Sequence, residues 1–346
     1  MRPASGVVLQ GVYEPTVFES MVEEIEGLGF RHLWVTDSSL HGRNPYAYLT
    51  LAARRSRTLL LGTAVTNPLT RHPGITAAAA ATLDDISGGR MILGMGAGDR
   101  PLLALGMRPA SLEALGDAIA AIRALWRGDH VTVETSSFRL DNAHVRFDAR
   151  SDIPVYISAS GPRTLELAGA VADGVILLVG LFPDAVGWAL EHIDQGAATA
   201  GRQRPAVTVF AYGRIAEDEA AALADARSIA AWFPQTAPVV CRLAGLPEDL
   251  VRHVRSRYAG GEFQEAAAAA EILPADFVRK VALSGNGERT RAQIRDVLAA
   301  GADGVNVFAL GAERMATIRS FAECFSAEVA PPTSDIGYPA AKAETS

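Results

Sequence analysis

The sequence has few of the residues that would place it in a specialised class of protein. Among its 346 residues are two cysteines, Cys241 and Cys324, which are too few for a disulfide framework and too isolated for a metal cluster. No block of basic residues occurs and the formal net charge is -7, which argues against nucleic acid as a partner. We therefore expect neither a metal ion nor a nucleic acid at its functional site.

Long apolar runs are also missing. The N-terminus has no basic segment followed by an apolar stretch, so we expect no signal peptide. The alanine-rich residues 77–81 are too few to cross a bilayer. With 49% hydrophobic and 21% charged residues, the composition is that of an average globular protein. We expect a soluble, cytoplasmic protein with no membrane partner.

The clearest pattern of secondary structure lies in the first third of the chain. Residues 59–65 form an apolar run of strand length, residues 75–86 a helical pattern that ends at glycine, and residues 91–95 a second apolar run. Two parallel strands joined by such a helix make a βαβ unit. Because α/β proteins place their chemistry at the carboxyl ends of strands, the loops after both strands are candidate functional sites.

The same alternation continues along the chain and gives eight strand patterns separated by helices. Regular alternation indicates parallel strands, and eight of them fit a closed (β/α)8 TIM barrel. An open doubly wound sheet is the alternative, although no G-x-G-x-x-G stands between the first strand and the first helix. We predict one barrel domain over residues 1–329, with a β-hairpin insertion at about 128–150, a helical insertion at about 217–275 and a disordered tail at 330–346.

Two carboxylates follow predicted strands. Asp37 comes directly after the second strand, and Asp99 ends the motif GAGD after the fourth. Two carboxylates at neighbouring strand ends could share a proton, as general acid–base catalysis requires. Each also fits a structural role, Asp99 as a helix cap and Asp37 as a partner of Arg43.

Two polar loops complete the candidate site. Residues 66–73 (TNPLTRHP) carry several hydrogen-bonding groups, although Asn-Pro is also a common turn pair. Residues 158–163 (SASGPR) join hydroxyls and an arginine to a helix start, a combination that suits a phosphate. A serine N-cap followed by proline explains the same residues without a ligand. These patterns do not name the reaction.

Three stretches together resemble a known family. They are GLGFRHLWVTD at residues 27–37, GTAVTNPLTRHPGITAAAAATLDDISGGRMILGMGAGD at residues 62–99 and PVYISASGPRTLELAGAVADGVI at residues 154–176. Over about residues 6–325 the chain is similar to the bacterial luciferase-like superfamily. Within it, the chain looks most like the coenzyme F420-dependent branch that includes the methylenetetrahydromethanopterin reductases.

The resemblance implies a TIM barrel that binds the deazaflavin F420 at the carboxyl ends of its strands. A non-prolyl cis peptide would back the ring, and hydride would pass between the deazaflavin and a C=N, C=O or activated C=C bond. Asp37 and Asp99 would be catalytic, supplying or stabilising the proton. The implied cofactor-binding residues are Ala64, Val65, Thr66, Asn67, Gly96, Gly98, Ser158, Ala159, Ser160, Gly161 and Arg163.

Two departures from the family pattern leave the substrate open. The methanopterin reductases carry an acid on the first strand, where this chain has Val8, Leu9 and Gln10. The sugar-phosphate and alcohol dehydrogenases of the branch carry a histidine where this chain has Ser38. A pterin, folate-type or imine substrate fits the resemblance, as does a homodimer or homotetramer. Alternatives on the same fold are an FMN-dependent monooxygenase, an NADH-dependent methylenetetrahydrofolate reductase and a barrel that only binds a ligand.

Overall fold

Eight parallel strands close into a barrel in the computed structural model, which describes residues 3–38, 40–98, 100–258 and 266–329, with backbone only at residues 100 and 101. Around the barrel the order is β1-β2-β3-β4-β7-β8-β9-β11 and back to β1, and every pairing in it is parallel. The strands are β1 (Ala4–Leu9), β2 (His32–Val35), β3 (Leu60–Thr63), β4 (Met91–Met95), β5 (Val131–Glu134), β6 (Arg139–Ala143), β7 (Val155–Ala159), β8 (Gly174–Leu177), β9 (Ala206–Ile215), β10 (Leu283–Gly285) and β11 (Gly304–Ala309).

Helices connect successive barrel strands. In chain order they are α1 (Pro15–Gly27), α2 (Pro45–Arg55), α3 (Pro73–Ser87), α4 (Arg100–Ala104), α5 (Leu112–Trp126), α6 (Pro162–Val171), α7 (Pro183–Thr199), α8 (Glu219–Ala230), α9 (Phe233–Thr236), α10 (Pro238–Leu243), α11 (Glu248–Arg257), α12 (Ala267–Ala270), α13 (Ala275–Val281), α14 (Gly287–Ala299) and α15 (Arg314–Glu328). None of the helices within the described ranges combines the length and apolar character needed to cross a membrane.

Local sequence signals set the ends of these helices. In α3, His72 is the N-cap, its Nδ1 accepts the N–H of Gly74, and Pro73 takes the first helical position. The helix ends at Gly88, whose left-handed backbone (φ +68°) suits glycine. In α5, the hydroxyl of Ser111 accepts the N–H of Ala114. Capped ends of this kind fix where each loop of the barrel starts and stops.

The apolar core has two parts. One lies between the strands and the surrounding helices. The other fills the barrel interior and contains Val8, Trp34, Ile92, Tyr156, Ile176, Phe210 and Phe308. Glycines on neighbouring strands make room for the largest rings, because a Cβ on Gly62 would lie 2.4 Å from Trp34 and one on Gly174 would lie 2.2 Å from Tyr156. Below the carboxyl ends of the strands, the barrel is therefore a packed core and not a channel.

The predicted (β/α)8 barrel is confirmed, and the open doubly wound sheet is wrong because β8, β9 and β11 close the ring. The hairpin prediction is confirmed by the antiparallel pair β5 and β6. Two short elements escaped the sequence. Helix α4 stands where a loop was expected, and β10 adds to β9 beyond the barrel. Residues 330–346, predicted to be a disordered tail, lie outside the described residues, and the single-domain boundary stays a prediction.

Candidate active site

A cavity of about 280 Å³ opens at the carboxyl ends of the barrel strands. This is the end at which TIM-barrel enzymes carry their active sites. Most of the residues predicted from the sequence line it: Asp37, Ala64, Val65, Asn67, Gly96, Gly98, Ser158, Ala159 and Ser160. The structure thus brings together residues from the ends of β2, β3, β4 and β7.

Asp37 is the buried charge at this cavity. Its side chain is 1% exposed, and its Oδ2 accepts a hydrogen bond from Thr66 Oγ1 at 2.8 Å. The same oxygen is paired with the Arg71 guanidinium, whose side chain is 19% exposed. Arg43, the partner considered from the sequence, binds Glu14 instead at 2.6 Å. Asp37 is thus a charge-paired carboxylate with one oxygen occupied by two donors.

The loop after β3 is held by its own polar side chains. Asn67 Oδ1 accepts the backbone N–H groups of Leu69 and Thr70 at 3.0 and 2.9 Å, so the turn expected from Asn-Pro is present. Thr66 is fully buried and pairs with Met95 through an isolated parallel bridge. The loop is consequently tied to the end of β4 on one side and to Asp37 on the other.

Backbone forms much of the cavity floor. The Ala64–Val65 peptide bond is cis and non-prolyl, as the family resemblance implies. Across from it, a Cβ on Gly96 would lie 2.8 Å from Val65 Cγ2 and 3.7 Å from Ser158 Cβ. Gly98 has φ +81°, a conformation that favours glycine. Glycine at position 96 therefore leaves room for the Val65 side chain, and both residues line the cavity.

On the β7 side, the cavity reaches the start of α6. Ser158, Ala159 and Ser160 line it, whereas Gly161 is the N-cap of α6 and makes no side-chain cap. The serine N-cap considered from the sequence is therefore wrong, and the first N–H groups of α6 have no side-chain acceptor there. Arg163 is exposed and lies in a separate groove between α5 and α7, away from the cavity.

Four aromatic side chains form the opposite wall, and sequence reasoning missed them. Phe210, Tyr212 and Phe308 come from β9 and β11, and Trp232 comes from the helical insertion after β9. The alternation of Phe210 and Tyr212 along β9 was an available signal, since residues two apart share a strand face. Trp232 gave no such signal because its place depends on tertiary packing.

Asp99 lies outside the described residues, so its predicted role stays a prediction.

Tyr46 lies beside Asp37, and its hydroxyl is buried. Burial, and then the negative charge of Asp37, raise the pKa of Tyr46 above its ordinary value, so the phenol stays neutral. No cluster of His, Cys, Asp or Glu that could hold a metal ion occurs within the described ranges.

Comparison with known proteins points to one group. A family profile described as luciferase-like monooxygenase matches residues 8–304. The 5,10-methylenetetrahydromethanopterin reductase of Archaeoglobus fulgidus is 36% identical over 242 residues, which cover 68% of this chain and 72% of that protein. The enzyme of the same name from Methanopyrus kandleri is 31% identical over 320 residues, covering 86% and 89%. A solved structure of the coenzyme F420-dependent tetrahydromethanopterin reductase from Methanopyrus kandleri matches with a TM-score of 0.81 and 27% identity, covering 93% of this chain and 98% of that one.

Proposed function

This chain belongs to the luciferase-like monooxygenase family, and from that premise we propose that it is an oxidoreductase that uses coenzyme F420 to transfer hydride. The proposal rests on the combination of this family relationship with the cavity at the carboxyl ends of the barrel strands. Relatives that share about a third of the sequence are reductases, and a solved F420-dependent reductase shares the fold over nearly the whole chain.

The residues of the cavity fit a deazaflavin. A flat ring needs an apolar surface without bulky polar side chains, and Ala64, Val65 and Gly96 line the cavity with such a surface. A phosphate needs N–H donors, and the start of α6 offers them beside the Ser158 and Ser160 hydroxyls. Thr36 lines the cavity, and its buried Oγ1 has no hydrogen-bond partner among the residues that the structure describes. Such a group is consistent with a site shaped for a polar ligand.

When bound, the deazaflavin supplies the hydride. The protein's part is to orient the acceptor, exclude water and manage charge. Asp37 lines the cavity with its side chain 1% exposed, so it acts as a buried charge that stabilises positive charge on the substrate next to the reacting carbon. Asn67, with its oxygen engaged in the turn, stays fixed at the rim. The aromatic wall of Phe210, Tyr212 and Trp232 keeps water from the substrate.

We propose that the acceptor is an electrophilic carbon in a C=N, C=O or activated C=C bond, with a pterin, folate-type or imine substrate favoured by the reductase relatives. Gln10 lines the cavity directly after β1, where the family resemblance implies an acid in the methanopterin reductases. A neutral amide at this place favours a substrate that differs from methylenetetrahydromethanopterin. We further predict a homodimer or homotetramer in the cytoplasm, which light scattering and fractionation will test.

The test is direct binding of oxidised and reduced F420, with FMN and NADH titrated in parallel by fluorescence. We expect submicromolar to micromolar binding of F420, a dissociation free energy of about 8 kcal/mol or more, and FMN binding at least about tenfold weaker. Preference for FMN would indicate a monooxygenase of the family instead. Binding of NADH alone would point to the methylenetetrahydrofolate reductase alternative. If F420, FMN and NADH all failed to bind, all three enzyme hypotheses would be contradicted.

A further inference from the structure

Arg71 contacts Asp37 without lining the cavity. It lies in the loop between β3 and α3, and its guanidinium pairs with the same Asp37 oxygen that accepts the Thr66 hydroxyl. Two donors on Oδ2 restrict rotation of the carboxylate. Because the Asp37 side chain is 1% exposed, water cannot replace a lost donor at little cost. Arg71 therefore acts on the cavity only through Asp37.

Arg71 is itself held in place from two sides. Its guanidinium carbon lies 5.1 Å from the centroid of the Tyr46 ring, a cation–π arrangement. The next residue, His72, uses both ring nitrogens. Nδ1 accepts the Gly74 N–H at 3.1 Å, so Nε2 carries the proton and donates to the carbonyl oxygen of Arg139 at 2.9 Å. The β5–β6 hairpin thereby braces the loop that carries Arg71.

We propose that Arg71 is a positioning residue that holds the Asp37 carboxylate in one orientation toward the cavity during the reaction. The inference rests on the proposed function, in which the buried charge of Asp37 stabilises positive charge on the substrate. A carboxylate that keeps only Thr66 as a partner is free to turn, and displacement of a reacting group by about 1 Å can cost about a hundredfold in rate.

The test combines Arg71→Ala, Arg71→Lys, Asp37→Asn and the double variant, assayed as enzymes loaded with whichever cofactor the binding experiment identifies. We expect Arg71→Ala to lower kcat about a hundredfold while substrate KM changes less than about fivefold. Added guanidinium ion should raise kcat of Arg71→Ala, and Arg71→Lys should retain at least a tenth of the wild-type kcat. Arg55→Ala, which removes an exposed arginine paired with Glu19, is the matched control and should leave kcat unchanged.

The decisive comparison is the double variant. If Arg71 acts through Asp37, Arg71→Ala combined with Asp37→Asn turns over no more slowly than Asp37→Asn alone. The inference would be overturned if the fold-reductions in kcat of the two single variants multiplied in the double variant. An unchanged kcat in Arg71→Ala would also overturn it.

A second arm needs no activity. Urea unfolding of the same four proteins should show non-additive losses for Arg71 and Asp37, since they form one ion pair, and additive losses would overturn the inference. If none of the cofactors tested supports turnover by the wild-type protein, the proposed function fails. The unfolding experiment would still test the Arg71–Asp37 pair. If Arg71→Ala does not fold, Arg71→Lys replaces it in both arms, and additive losses of unfolding free energy for Arg71→Lys and Asp37→Asn would count against positioning.

Discussion

The two ends of the barrel interior treat polar side chains in opposite ways. At the amino end, Trp34 Nε1 donates to Asn306 Oδ1 at 3.1 Å, and Asn306 Nδ2 donates to Thr208 Oγ1 at 2.9 Å. At the carboxyl end, polar groups such as Ser158 and Ser160 face a cavity. At the amino end, these polar side chains hydrogen-bond to one another. At the carboxyl end, the serine hydroxyls are placed where a ligand can bind them. Changes at the amino end should therefore affect stability, and changes at the carboxyl end should affect binding and turnover.

The largest expected effect is at the carboxyl end. Asp37→Asn keeps the shape of the side chain and removes its charge, so we expect kcat to fall by about 10²- to 10⁴-fold, with cofactor affinity within about threefold of wild type. Steady-state kinetics and fluorescence titration measure the two quantities. Unchanged turnover would remove Asp37 from the catalytic machinery.

The matched control for Asp37 is another buried aspartate on the outside of the barrel. Asp84 pairs with Arg150 at 2.8 Å and accepts the backbone N–H of Met91. Asp84→Asn should lower the free energy of unfolding by about 1–3 kcal/mol and leave kcat unchanged. A fall in kcat equal to that of Asp37→Asn would mean that loss of any buried carboxylate disturbs the site.

At the amino end, Asn306→Leu should do the reverse of Asp37→Asn. The substitution leaves the buried Trp34 indole N–H and the Thr208 hydroxyl without their partner, so we expect the free energy of unfolding to fall by about 2–4 kcal/mol. Urea denaturation measures this loss, and kcat of the folded enzyme should stay within about twofold. A variant that keeps its stability but loses activity would contradict the division between the two ends.

Gly96→Ala tests the cavity floor with a smaller change. The added methyl group would stand 2.8 Å from Val65 Cγ2, so the Val65 side chain, which lines the cavity, must shift, and we expect about tenfold weaker cofactor binding. Gly187→Ala in α7 is the control, because a Cβ there meets nothing within 4 Å and Gly187 does not line the cavity. Equal affinities for both variants would place the ring elsewhere.

Features of the fold and the site could be predicted from the sequence where they depend on residues close together in the chain. The βαβ pattern, the end of α3 at glycine and the carboxylate Asp37 could be predicted because each depends on neighbouring residues. The pairing of Asp37 with Arg71 joins residues 34 apart, and the sequence pointed instead to the nearer Arg43. Trp232 reaches the cavity from a separate insertion, which no periodicity could place. The short α4 and β10 fall below the length at which a pattern is distinct from a loop.

His32 is the exception at the amino end, and it gives the smallest expected effect. Its ring is buried, and within the described part of the chain Nδ1 has no hydrogen-bond partner. Burial, assisted by the charge of Arg31, lowers the pKa of His32 to about 3. The folded state therefore keeps the ring neutral, while the unfolded chain takes up a proton below about pH 6.5. Since the unfolded state binds more protons as pH falls from about 6.5 toward 3, stability declines over that window.

Replacement of His32 should flatten this acid dependence. Between pH 7.5 and 5.5 the wild type should lose about 1.4 kcal/mol of unfolding free energy through His32, and His32→Leu should lack that share of the slope in urea denaturation. Leu33→Val, a buried change on the same strand that alters no titratable group, is the control and should lower stability while retaining the wild-type slope. If kcat of His32→Leu, measured at pH 7.5, matched the wild type while the slope flattened, the amino end would govern stability alone even where one of its polar groups is unpaired. A changed kcat with an unchanged slope would instead show that the buried imidazole affects the active-site cavity. The division between an amino end for stability and a carboxyl end for activity would then be wrong.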